Sequence, residues 1–444
     1  MGRSTRFHVT NSVRSSPVRP SRRDLLWACA ACFASTATGA TSCRPQSRPL
    51  REDGRIVVTF WYAFGDLVRK VLLEAVARFN ASQSRIVVKA VHQGDYFESL
   101  AKLRTAVAAG AAPTLSHVVL EVLPYLARAG VLEPLDAYEG AQTMPFLAPL
   151  AQEGSFDGGD ARLYGIPFNR STPIVYANAR MLDAAGVRLP TTWDELERTA
   201  QVLTVRGSDT RWGYEVPISW WYWVALVGQA GGSLVAPDGA VTLGGAAGED
   251  ALALWQRLVN ADRVMRPPPG RDYQAWQSTN ESFLQERIAM MWSSTAFVRY
   301  LENNARFPVV AGPLPGRDRK SVPTGGTNFV LMRSAPDEEK QAGWEFVRFM
   351  CEDNQVALWS TRTGYLPTTR TAAAQLAESG YYRLHPNDRV ALDQLVHVTP
   401  WPWAPELFRI ERDIVEPILE DAVLTGRDPR AALDQARADA RVPA

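Results

Sequence analysis

The sequence predicts an α/β protein built on a mainly parallel sheet with helices on both faces. Three observations lead there. From residue 55 to residue 120, short β-rich runs alternate with amphipathic helical spacing, and strand–helix–strand alternation implies right-handed crossovers over a sheet. The 444 residues correspond to two or three compact units at roughly 150 residues each. With 46% hydrophobic and 21% charged residues, the chain has the material for sizeable cores.

Taken in order, residues 55–62 are β-rich through Ile56, Val57, Val58, Thr59 and Phe60 and predict the first strand. Val68, Leu72, Ala75, Val76 and Phe79 keep helical spacing, so a helix is expected over 66–80. A second strand is expected at 85–92, a second helix at 96–109 and a third strand at 115–120. Further on, 171–178 is strand-like. Thr192 and Glu195 form a capping-box pattern, the hydroxyl taking a helix N–H while the carboxylate reaches back, for a helix running to about Leu203. The stretch 212–235 is aromatic and glycine-rich and reads as irregular, whereas a strand there would put Trp221 and Trp223 on one face. A helix is expected at 251–259, a rigid loop at Pro267–Pro269, a strand after 282–290, a strand from Thr324 to Met332, a helix at 337–351, and a helical tail over 411–438 broken at Thr425-Gly426.

The first 43 residues differ in kind. Arg3, Arg6, Arg14, Arg19, Arg22 and Arg23 face a single acid, Asp24; an apolar run over 25–34 and small residues up to Cys43 follow. That order is that of an export signal. Ser21 to Leu26, with the Arg22-Arg23 pair, resembles a twin-arginine signal. Ala40-Thr41-Ser42-Cys43 resembles a bacterial lipobox, which makes Cys43 the expected lipid anchor. The chain is therefore expected outside the cytoplasmic membrane, at the cell surface or in the periplasm. Residues 44–54, polar with two prolines, read as a tether. After the leader there is no run of 18 apolar residues, so no further membrane span is expected.

Without the leader, 42 basic and 46 acidic residues remain, a net charge of about −4 by the usual counting. No polybasic footprint for nucleic acid is present. Cys29 and Cys32 leave with the leader; an acylated Cys43 would leave Cys351 alone, so no disulfide is expected. Five histidines and scattered cysteines give no metal-ligand spacing, and neither a metal nor another cofactor is expected.

Several segments resemble the bacterial extracellular solute-binding proteins of ABC importers for sugars, oligosaccharides and glycerol-3-phosphate. Phe168 to Asn178 looks like the family strand that crosses between lobes. Ala185-Gly186 through Leu189 to Leu196 follows it at the family spacing, and Glu286 to Met291, Gly325-Gly326 and Ala342 to Phe346 continue in register. The resemblance spans about residues 55–440. It implies a two-lobed periplasmic-binding-protein-like fold, each lobe a mainly parallel sheet flanked by helices, joined by hinge crossovers. Lobe 1 would comprise 55–165 and 315–372, and lobe 2 would comprise 166–314 and 373–444. It also implies membrane permease subunits as partners; the oligomeric state is not visibly encoded, and a monomer is expected.

Within the family the likeness is nearest to glycerol-3-phosphate-binding proteins, carried by Phe60-Trp61-Tyr62, Phe79 to Gln83, Gln93 to Tyr96 and Thr363 to Pro367. It implies ligand contacts at Tyr96 and Tyr365, with Tyr62 joining the expected set. Glu121 matches the acid that binds a ligand hydroxyl, and Ser171, Ser294 and Gly326 match the remaining polar contacts. One departure stands out. Where the family carries a phosphate-binding arginine, this chain reads Thr399-Pro400-Trp401-Pro402-Trp403, and Arg409 comes several residues late. A bidentate guanidinium suits phosphate far better than an indole. A sugar or a glycerophosphodiester therefore ranks ahead of free glycerol-3-phosphate.

A polyhydroxy ligand needs flat aromatics for its C–H faces and fixed polar groups for its hydroxyls, since each buried hydroxyl left unpaired costs about 1–3 kcal/mol. Trp220 to Trp223, with Trp401 and Trp403, supply aromatics; Trp221, Trp223, Trp401 and Trp403 join the expected contacts, core packing being the alternative for each. An aromatic cage would also suit a quaternary ammonium such as choline. Two other classes compete with a binding protein. A secreted carbohydrate-active enzyme needs two paired carboxylates, and no motif pairs them. A surface sensor that kept the fold without transport fits the same residues.

Overall fold

The computed structural model describes residues 49–156, 162–208, 210–404 and 406–441. The expected leader, its arginine pair and Cys43 lie outside these residues, as do residues 44–48 of the expected tether. Among the described residues no helix is long and apolar enough to cross a membrane.

The chain enters through β1 (Arg51–Glu52), which pairs antiparallel with β2 (Arg55–Tyr62). Asp53 and Gly54 turn between them, both with positive φ. The end of the expected tether is thus a sheet edge. Next come α1 (Asp66–Ser82), β3 (Ile86–His92), α2 (Tyr96–Ala108), β4 (Leu115–Val119) and α3 (Leu123–Arg128), as strand–helix alternation requires. A small hairpin of β5 (Ser155–Phe156) and β6 (Arg162–Leu163) precedes β7 (Ile166–Ser171), and Thr172 alone separates β7 from β8 (Pro173–Asn178). The remaining strands are β9 (Trp212–Glu215), β10 (Ile288–Ser294), β11 (Val309–Gly312) and β12 (Gly325–Leu331).

These strands form two main sheets, the centres of two lobes. The first has the order β1-β2-β4-β12-β7, with β3 on β2; the second has the order β11-β8-β10-β9. The β3/β2/β4 core is parallel, but β12 runs antiparallel to both β4 and β7. In the second sheet only β9/β10 is parallel. The sheets are therefore more mixed than helical crossovers alone predict. The reason is the chain path: β7 leaves the first lobe while β12 returns to it, so neighbours at the crossing run in opposite directions. Ile166–Ser171 is a strand of the first sheet, although the expected division put it in lobe 2.

Both sheets are sandwiched, so the residues of their central strands are mostly buried. In the first, Phe60, Leu115, Phe329 and Leu331 face one core with Phe79 and Phe346, while Val118, Val330 and Met332 face another with Leu103 and Leu126. In the second, Val175 and Ala177 face a core with Trp255, whereas Ile174 and Tyr176 pack with Phe283 and Leu301. Alternate residues of one strand thus serve opposite cores.

Two local expectations change. Residues 220–229 are neither irregular nor a strand but a helix, Trp220–Gln229. Thr192 does cap the Trp193–Leu203 helix by accepting the Glu195 N–H at 3.2 Å. The Glu195 carboxylate, however, reaches one residue further back, to the Thr191 N–H at 2.7 Å and its hydroxyl at 2.6 Å. The expected helical tail is present as Glu416–Thr425 and Pro429–Ala440, ended and restarted around Gly426 with φ +70°.

Candidate functional site

A cavity of about 600 Å³ opens where the two sheets meet. The first lobe contributes Tyr96 and Phe97 from the start of α2, Glu121 from the turn after β4, Ser171 at the end of β7 and Gly326 in β12. The second contributes Trp221, Trp276 of the Asp272–Leu284 helix and Ser294 at the end of β10. Glu411 and Arg412 come from the C-terminal segment, which packs into the core of the second sheet through Ile410, Val415 and Leu419.

The start of α2 is fixed by a reciprocal cap. The Asp95 carboxylate accepts the N–H groups of Phe97 and Glu98, both at 2.8 Å, and the Glu98 carboxylate accepts the Asp95 N–H at 3.4 Å. Gly94, at φ +94°, lets the chain turn into this cap; a Cβ there would lie 1.7 Å from Glu98 Oε2. Tyr96 is thereby delivered to the cavity as the first residue of the helix.

Beneath Tyr96 runs a buried polar relay. His117 Nε2 accepts the Ala63 N–H at 2.8 Å, so the proton sits on Nδ1, 3.1 Å from Thr327 Oγ1. Burial holds the imidazole neutral by pushing its pKa down to about 3. Thr327 in turn donates to Asn169 Oδ1, and Asn169 Nδ2 donates to the Tyr96 hydroxyl at 2.9 Å. The relay ends at Tyr365, whose hydroxyl lies 3.5 Å from that of Tyr96. Burial raises both phenols above their ordinary value, so each presents a neutral O–H.

The aromatic wall belongs to the second lobe. Trp221 stacks on Trp276 with ring centroids 5.1 Å apart and planes 27° apart. Its indole N–H donates to the Thr324 carbonyl at 2.9 Å, just before β12. Glycine at 325 admits the ring, because a Cβ would meet Trp221 Cζ2 at 2.8 Å. Gly326 is required for a different reason: at φ +102° a Cβ would sit 1.7 Å from the Asn169 carbonyl oxygen, where β12 and β7 change register.

The charged lining is mostly acidic. Burial is the main cause that pushes Glu121 up to about 7, with the Arg170 charge opposing it. Glu411 is also held well above the ordinary carboxylate range, first by burial and then by the charges of Glu121 and Glu416. Glu416 accepts the Trp220 N–H at 2.8 Å and so caps that helix. The Arg412 guanidinium lies 3.5 Å from the centroid of the Phe97 ring, a cation–π contact from the C-terminal segment to α2. Below the floor, Arg170 in β7 is fully buried and paired with Glu153, and both also bond Thr324 Oγ1. Among the described residues no group of three metal-ligating side chains converges.

Of the residues expected from the sequence, Tyr96, Glu121, Ser171, Trp221, Ser294, Gly326 and Tyr365 line this one cavity. Four do not. Tyr62 points into the first core, with its ring 5.4 Å from that of His92. Trp223 is fully buried against Trp255, because a helix turns residues 221 and 223 to opposite sides. Trp401 shares the Thr324 carbonyl with Trp221, at 2.9 Å, and packs behind the wall. Trp403 packs on Phe156 with centroids 4.9 Å apart.

Trp276, Glu411 and Arg412 were not among the expected residues. A helical stripe of Tyr273, Trp276, Gln277, Asn280 and Glu281, all lining the cavity, carries a signal that could have found the first. Arg409, the late arginine, pairs with Glu406 at 3.1 Å and is not part of the lining.

Known proteins share this architecture. The profile of the bacterial extracellular solute-binding protein family matches residues 74–381. The sn-glycerol-3-phosphate-binding periplasmic protein UgpB of Yersinia pseudotuberculosis is 26% identical over 402 residues, covering 85% of this chain and 90% of the relative. Among solved structures, UgpB from Mycobacterium tuberculosis in complex with glycerophosphocholine superposes with a TM-score of 0.77 at 24% identity, covering 87% of this chain and 98% of that one. The GacH receptor of Streptomyces glaucescens, solved unliganded and with acarbose, gives 0.74 at 19% identity over 87% and 97%.

Proposed function

The chain belongs to the bacterial extracellular solute-binding proteins, and we propose that it is the substrate-binding component of an ABC importer for a polyhydroxy solute. The solute is a carbohydrate or a glycerophosphodiester, held between the lobes and passed unchanged to a membrane permease. The observation that supports this most is the cavity of about 600 Å³ with an indole wall from one lobe and hydroxyl and carboxylate groups from the other. Such a site has the size and make-up of a small-molecule pocket.

In this reading Trp221 and Trp276 take the apolar face of the solute, and Tyr96, Glu121, Ser171, Ser294 and Tyr365 bond its hydroxyls. Only contacts made with both lobes favour the closed form. Hinge closure about the crossing at Thr172, the motion by which two-lobed binding proteins enclose their ligands, would complete them. Acylation at Cys43 would keep the protein beside its permease. Titration of the purified protein with sugars and glycerophosphodiesters, followed by tryptophan fluorescence, should give a saturable change, with the solute recovered intact. A folded sample that responds to no member of the panel, or that converts one to product, would defeat the proposal.

A further inference from the structure

We propose that the solute carries a cationic nitrogen, seated between Glu121 and Glu411. The proposal rests on the reading of the cavity as the solute site and narrows it to a class.

The lining acids other than these two have structural duties, partners or access to solvent. Asp95 and Glu98 cap α2, Glu416 caps the Trp220–Gln229 helix, Glu420 pairs with Arg271 at 2.5 Å, and Glu281 is exposed. Glu411 is only 4% exposed, lines the cavity, and has no hydrogen-bond donor among the described residues. No other residue's side chain donates to the Glu121 carboxylate either. A carboxylate this buried and unpaired is costly to keep charged. Two of them acting on one another, from different lobes, are costlier still.

Arg271 is held by Glu420 and the Arg412 guanidinium lies over Phe97; the Arg412 charge opposes the rise at Glu411 without cancelling it. The groups whose charges act on Glu411 are Glu121, Glu416 and Arg412, with the Tyr125 hydroxyl also within reach of its field. The segment where the family resemblance expects a phosphate-binding arginine supplies Trp401 and Trp403, neither in the lining, and then Glu411. Arg412 follows in the same segment, and across the whole lining carboxylates outnumber guanidinium groups. An ammonium placed between the carboxylates would ionise both and tie the C-terminal segment to the turn after β4. A neutral polyol would leave the pair protonated. An amino sugar and a glycerophosphoamine share the required nitrogen.

The test is calorimetric titration of the full mature chain at pH 6.5 with D-glucosamine against D-glucose, and with glycerophosphoethanolamine against glycerophosphoglycerol, so that each pair differs by the protonated nitrogen. At least one amine should bind ten or more times more tightly than its partner, and which pair shows it identifies the source of the nitrogen. Glu411→Gln should remove that preference while leaving the nitrogen-free partner within about threefold. Repeating the titration in two buffers of different ionisation enthalpy should reveal proton release on amine binding, a readout independent of the variant's folding. Equal binding of amine and nitrogen-free partner, no proton release, or an undiminished preference in Glu411→Gln would overturn the proposal. Saturable binding of neutral polyols alone would sink this proposal and leave the importer reading standing. No binding of any polyol would sink both.

Discussion

Asn169 donates its side-chain amide to the Tyr96 hydroxyl at 2.9 Å. A fully buried residue of the crossing strand thereby orients a hydroxyl at the cavity surface, so the geometry of the site and that of the crossing are one structure. Asn169→Leu would take the acceptor from the Thr327 O–H, leaving it His117 alone, and leave the Tyr96 hydroxyl turned only toward Tyr365. Each buried polar group left unpaired costs about 1–3 kcal/mol, and chemical denaturation should show a loss in that range. Tyr96→Phe keeps the ring and should cost less stability but weaken solute binding several-fold.

Trp221 and Trp223 are near neighbours in sequence with opposite fates. Trp223→Ala opens a hole in the second core and should lower stability by about 3–5 kcal/mol. Trp221→Ala, at a half-buried ring, should cost clearly less stability than that but reduce solute affinity about tenfold or more. Thermal melts and titrations run on both variants separate the two roles; the reverse assignment of effects would refute the placement of the site.

The unliganded protein should lose stability as pH rises from about 4.5 to about 7. Glu121 has its folded pKa raised to about 7, so the folded state binds more protons than the unfolded state across that window, and the linkage slope is negative. The raised Glu411 adds in the same direction. Its stabilising share is fully present below the unfolded pKa and is lost as pH climbs through the folded one. Glu121→Gln should flatten the profile, measured as unfolding midpoint against pH without solute.

Gly326→Ala should be among the most damaging single-methyl changes in the chain. It forces a side chain onto φ +102° and drives its Cβ to 1.7 Å from the Asn169 carbonyl oxygen, a backbone atom that cannot swing aside. Soluble yield and denaturation midpoint should both fall; Gly65→Ala, where a Cβ meets nothing within 4 Å, serves as the control.

Glu153→Gln tests the buried pair under the cavity floor. It leaves the Arg170 charge buried with no acid directly bonded to it, a loss that typically costs about 3–5 kcal/mol. Equilibrium unfolding should register it. Denaturation unchanged from the parent would mean that the pair contributes nothing.

What the sequence disclosed follows from how local each signal is. The strands at 55–62, 86–92 and 115–119 are rich in β-branched and apolar residues where they are buried, and that pattern survives in the chain without tertiary knowledge. The helix at Trp220–Gln229 was not legible, because four consecutive aromatics favour no period and its first N–H is capped by Glu416, 196 residues away. Glu411 was not legible either: a carboxylate in a helical tail reads as solvated, and its burial depends on tertiary packing, in which the same segment meets Phe97 and Tyr125 of the first lobe. Trp223 and Tyr62 were read as contacts because composition marks an aromatic residue without saying which side of its element faces a core.

The bare backbone at Gly325 has a consequence for descent. The Trp221 ring rests where a side chain at 325 would stand, so these two positions, one from each lobe, are not free to drift apart. A lineage that acquires a larger residue at 325 must first shrink the indole at 221, and with it rebuild the solute wall. In an alignment of descendants, the pair should change together or not at all.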